Sequence, residues 1–83
     1  MKMYVITFRS VTLAQRGQRL LRSHGMETIL QRTPRWMEER GCGYCLRIRP
    51  EQTDRATVLL RQGQLPYSRV YTQDVDGEEG RRE

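Results

Sequence analysis

Lysine is almost missing from this chain. Lys2 is the only one, and arginine supplies nearly all of the positive charge. Histidine and tryptophan occur once each, and the two cysteines stand only three positions apart. No apolar run approaches the ~20 residues that a membrane-spanning helix needs. Polar Thr7, Arg9 and Ser10 interrupt the apolar start, so no signal peptide and no membrane association are expected. Two cysteines so spaced do not make a secreted disulfide framework, and a reducing cytoplasm suits them better. With His24 far away in sequence they also fall short of a zinc set, so no metal site is expected. A chain of this length buries only ~60% of its unfolded surface, which argues against a deep cleft around a large cofactor. None is expected.

What is present is a formal charge of +5. Arginine-rich surfaces suit phosphates, carboxylates and RNA, although a net charge of this kind also fits a solvated surface with no site at all. The 83 residues imply one domain, spanning residues 1–73. The remainder, 74–83, mixes acids and arginines around two glycines with a single valine, and is expected to be a disordered tail.

Apolar patterning divides the domain into two similar halves. In Met3–Phe8 both alternating sets are mostly apolar, as in a central strand. Ser10 can cap a helix carrying Leu13, Ala14, Gly17, Leu20, Leu21 and His24 at helical spacing, and Gly25 stops it. Met26–Gln31 reads as a strand broken by Thr33-Pro34, and Pro34–Arg40 suits one helical turn. Tyr44, Leu46 and Ile48 then alternate with Cys45, Arg47 and Arg49, giving a half-buried strand with arginine-rich outer positions. A second helix, Glu51–Gln62, turns Ala56, Leu59 and Leu60 inward and stops at Gly63, and Tyr67–Gln73 is the last strand. Leu20-Leu21-Arg22 before Gly25 echoes Leu59-Leu60-Arg61 before Gly63. Two βαβ-like halves with right-handed crossovers predict an α+β, ferredoxin-like split βαβ fold (βαββαβ). Its four-stranded antiparallel sheet has the first and third strands central and both helices on one face. The other face is left open, available for a homodimer.

Cys42 is the residue most suggestive of chemistry. Gly41 and Gly43 flank it, and glycine on both sides lets the backbone turn sharply and present a thiol at a loop tip. Arg35, Arg40 and Arg47 are close in sequence and could favour the thiolate, as could backbone N–H groups freed to point at the sulfur. The bland alternative is an inert cysteine in a tight turn. Cys42 and Cys45 also have Cys-x-x-Cys spacing, but here the motif opens a strand rather than a helix. Cys45 is then either a strand residue that packs or faces outward, or a resolving thiol that releases cargo from Cys42 as a disulfide. A small thiol-redox or adaptor module using both cysteines is therefore a second reading. His24 suits the negative end of the first helix, and Trp36 is expected to cover the sheet end. Arg47, Arg49 and Arg69 with Tyr44 and Tyr71 suggest the stacking platform of an RNA-binding sheet. The phasing turns Tyr44 inward and no such consensus is present, so nucleic acid is the least favoured partner.

Met3-Tyr4-Val5-Ile6-Thr7-Phe8-Arg9-Ser10, Ala14, Leu20-Leu21, Gly25 and Thr33-Pro34-Arg35 resemble the selenium/sulfur (Se/S) carrier protein-like family. The resemblance is sharpest at Gly41-Cys42-Gly43 with Leu46, Arg47 and Ile48. It closes with Leu60, Gly63 and Tyr67 to Tyr71, covering about Met3 to Gln73. Gln18 stands where members commonly carry an acid, and Cys45 where a small or apolar residue is usual. Members are small bacterial domains, alone or fused to a TusA-like sulfur carrier. The resemblance implies a non-enzymatic carrier that accepts sulfane sulfur or selenium on Cys42, as a persulfide or selenosulfide. Its partners would be a donor such as a cysteine desulfurase or selenocysteine lyase, and an acceptor enzyme.

Overall fold

The computed structural model describes residues 2–34 and 43–74. The helical turn expected over Pro34–Arg40, the loop tip at Gly41 and Cys42, and the charged tail from residue 75 onward lie outside the described residues. The elements run β1 (Lys2–Phe8), α1 (Val11–Ser23), β2 (Thr28–Arg32), β3 (Tyr44–Ile48), a 3-10 turn (Pro50–Gln52), α2 (Thr53–Gln62) and β4 (Arg69–Asp74).

The four strands form one antiparallel sheet in the order β2-β3-β1-β4, with β1 and β3 central. Tyr4 stands opposite Ile48 and Phe8 opposite Tyr44 across the central pair. Both helices pack on one face. Ala14 and Leu21 of α1 and Ala56 and Leu60 of α2 share a core with Ile6, Phe8, Leu46 and Ile48. Each fully buried aliphatic side chain there contributes about 1.5–3 kcal/mol. This is the α+β, ferredoxin-like arrangement that the two half-repeats predict. Gly17 lets the layers close. A Cβ there would sit 3.1 Å from the Phe8 ring and 3.2 Å from a Leu60 methyl.

The first helix is bounded as expected. The Ser10 hydroxyl accepts from the Leu13 N–H at 3.1 Å. At the other end Gly25 takes φ +79°, Met26 N–H donates to Leu21 O and Gly25 N–H to Arg22 O, both at 3.0 Å. That is the Schellman pattern, with Met26 folded back onto the core. His24 leaves the inward stripe: it is exposed, and Nδ1–H donates to Leu20 O at 3.1 Å.

The second helix ends at Gln62 with Gly63 as its C-cap, as expected, but it starts late and its left-handed turn falls one residue on. Pro50–Gln52 is a 3-10 turn, and the α-helix begins at Thr53. At its end the left-handed residue is Gln64, φ 59°, while Gly63 has an ordinary φ of −83°. Leu65 N–H donates to Leu60 O at 2.9 Å and Gln64 N–H to Arg61 O at 3.0 Å, the same pattern as in α1. Gly63 is needed for close approach instead, because a Cβ there would lie 2.9 Å from a Leu20 methyl. The strands are also trimmed. β2 starts at Thr28 because Met26 is spent on the helix cap, and β4 starts at Arg69, where pairing with Thr7 begins.

Candidate functional site

β2 and β3 form a hairpin whose last strand pair is Arg32 with Tyr44. One further bond closes it, from Thr33 N–H to Gly43 O at 2.6 Å. Gly43 is buried and adopts φ +77°, a conformation that side-chain-bearing residues rarely take. The glycine after Cys42 is thus required by the backbone that enters β3. The hairpin opens at the sheet end where β1 finishes, α1 starts and β4 starts. Phe8 lies opposite Tyr44, Arg69 opposite Thr7, and Ser68 N–H donates to Thr7 O at 2.7 Å. Cys42, Gly41, Arg35 and Arg40 lie outside the described residues.

Cys45 is the second residue of β3, flanked by Thr7 in β1 and Gln31 in β2. Tyr44 turns toward the helices and packs on the main core, as the phasing predicts. Cys45 therefore projects to the other face, but it does not reach solvent. It is fully buried with Val5 under Tyr71, and its thiol lies 3.7 Å from the Gln31 carbonyl oxygen as a weak donor. Its place in a central strand explains the burial. Arg47, two residues on, shares this face between Val5 and Ile29. It is half-buried, and its Nε is shielded from water without a hydrogen-bond partner. The rule that residues three apart on a strand oppose each other does not extend to Cys42, because Gly43 breaks the strand conformation between them.

Arg47 and Arg69 share the face opposite the helices, with Tyr71, as expected, but they are spread along it. Arg49 follows β3 at the far end and meets Glu27 at 3.4 Å, both exposed. Arg69 starts β4 at the hairpin end, where its N–H donates to Thr7 Oγ1 at 3.1 Å. Arg32 is a cation that the pattern reading missed, since it ended β2 at Gln31. Its guanidinium lies 5.6 Å from the Tyr44 ring centroid. The signal was available: continuing the hairpin register by one pair sets Arg32 opposite Tyr44. Gln18 has a local task, donating from Nε2 to the Thr28 carbonyl at 3.3 Å and so tying α1 to β2. A carboxylate there would lack that donor. Among the described residues no three His, Cys, Asp or Glu side chains gather as metal ligands, and no helix is long and apolar enough to cross a membrane.

These features define a small ferredoxin-like α+β domain in which Gly43, the residue after Cys42 in sequence, closes a hairpin at one end of the sheet. Residues 3–72 match the family model described as "Putative Se/S carrier protein-like", and the chain belongs to that family. No curated protein and no solved structure matches the chain.

Proposed function

We propose that this protein is a cytoplasmic sulfur or selenium carrier with Cys42 as the accepting thiol. The family match over residues 3–72 carries this reading. The burial of Cys45 within the sheet supports the choice of cysteine, since a partner cannot reach that thiol without opening the domain. Loading is a thiolate transfer with no net oxidation. The Cys42 thiolate attacks the terminal sulfur of a donor persulfide, R–S–SH, the S–S bond breaks, and R–S⁻ leaves as Cys42–S–SH forms. With selenium the donor is R–S–SeH and the product Cys42–S–SeH. An unassisted thiol has a pKa near ~8.5, so Arg35 and Arg40 would act by favouring the anion. Arg47 would contribute from farther along β3. Hand-off repeats the step with an acceptor enzyme's thiolate.

The test is to incubate the reduced protein with a cysteine desulfurase and cysteine, or a selenocysteine lyase and selenocysteine. Intact mass should rise by one sulfur or selenium atom, reversibly by dithiothreitol, and Cys42→Ser should not load. Arg35→Ala or Arg40→Ala should slow loading most below pH 7.5, where an unassisted thiol is mostly protonated. If wild type stays unmodified while a TusA-like control loads, the carrier reading fails.

A further inference from the structure

The helix layer stops short of one strand. β4 carries Val70 and Thr72 on the helix side, opposite Ile6 and Tyr4 of β1. Ile6 is fully buried in the core, yet Val70, one strand further out, is 38% exposed, and Thr72 is exposed as well. Among the described residues β4 pairs only with β1, so it is also an edge of the sheet. The other edge strand, β2, is covered on its helix side, where Thr28 is buried and Leu30 packs on the core. Edge strands are commonly blunted by lysine, proline, an inward charge or a bulge. Arg69–Asp74 contains no lysine or proline, and its uncovered Val70 and Thr72 are β-branched and uncharged.

We infer that β4 is the seam of a homodimer, in which it pairs antiparallel with β4 of a second copy. The occupant is a second copy because the strand is complementary to itself. A twofold axis through Tyr71, perpendicular to the sheet, keeps every paired residue on its own face, as the strand period of two requires. Val70 then meets Thr72 of the second copy on the helix side, and the two Tyr71 rings meet on the other side. Arg69 meets Gln73, so no like charges stand opposite each other. The sheet doubles, with the helices of both copies on one side and the two hairpin ends pointing in opposite directions. Pairing through the helix-free face is the poorer arrangement, because it would desolvate the half-buried Arg47 of both copies against each other. A seam of 6 residues buries far less than the ~1,600 Å² of a standard interface, so the dimer is weak and forms with rising concentration. Each chain carries +5, so salt strengthens the dimer by screening the repulsion. This inference does not rest on the carrier reading.

The experiment is sedimentation velocity of the full chain from about 10 μM to about 1 mM, at low and at high salt. Dithiothreitol is present, so that no disulfide links the copies. A monomer–dimer equilibrium is expected, tighter at high salt, with concentration-dependent amide shifts in nitrogen-15 spectra centred on residues 69–73. Val70→Lys sets a cation from each copy at the seam and should weaken association by about tenfold or more. Thr72→Lys should do the same, and denaturant unfolding shows that each variant is folded. Val58→Lys adds the same charge at a valine of similar exposure, 42%, on α2, and should change association by less than about twofold. Ile29→Lys, on the other edge strand, carries the same expectation. A monomer at every concentration, an equal loss with Val58→Lys or Ile29→Lys, or growth beyond a dimer would overturn the inference. Cys42→Ser should dimerise as wild type does, so a failed carrier reading and a failed dimer are told apart.

Discussion

The two faces of the sheet are unequal in a way that Tyr44 and Cys45, neighbours in β3, make plain. On the helix face, aliphatic and aromatic side chains from every strand except β4 meet two helices in a continuous core. On the other face, among the described residues, only Val5 and Cys45 are fully buried in a hydrophobic cluster, with Tyr71 against them. Both faces bury residues of β1, which is why its two alternating sets are both apolar. The stability of the fold therefore resides mainly on the helix face, while the second face tolerates a thiol, an arginine stem and half-covered polar groups. A cysteine on that face is packing material even though its neighbour in sequence space, three residues earlier, is read as reactive.

The sharpest way to break this comparison is to truncate one residue on each face. Leu46→Ala removes a fully buried side chain from a central strand on the helix face. It should cost about 3 kcal/mol in denaturant unfolding. Cys45→Ala removes one sulfur from the smaller cluster and should cost about 1 kcal/mol. Equal losses would mean that the second face is as much a core as the first. A smaller change should go the other way. Gln64 adopts a left-handed conformation with no glycine, so Gln64→Gly should raise stability by up to about 1 kcal/mol. A loss on that substitution would show that the Gln64 side chain earns its place through contacts.

Much of the fold was legible because local signals and global pattern agreed. Ser10 capped α1, Gly25 ended it, and alternation in Tyr44–Ile48 correctly turned Tyr44 inward. The errors came from glycine and from register. Gly63 does follow the last residue of α2, but the left-handed residue is Gln64, because the echo is one residue out of step: Gly25 follows Arg22 by three, Gly63 follows Arg61 by two. Sequence proximity could not reveal that Gly63 is demanded by Leu20, a contact between helices far apart in the chain. The pattern puts Arg47 at an outer position and leaves Cys45 either packing or facing outward, because alternation marks which face a side chain takes and says nothing of what covers it. Arg32 was missed by a single strand pair. The expectation centred on Cys42 rests on its glycines and on the family, since it lies outside the described residues.

The most direct test of the account separates the two thiols. Wild type, Cys42→Ser and Cys45→Ala are each exposed to a cysteine desulfurase and cysteine, and the products are mapped by peptide mass. The account predicts one added sulfur on the Cys42 peptide in wild type, the same loading in Cys45→Ala, and none in Cys42→Ser. Loading on Cys45, or its abolition in Cys45→Ala while that variant remains folded, would contradict it.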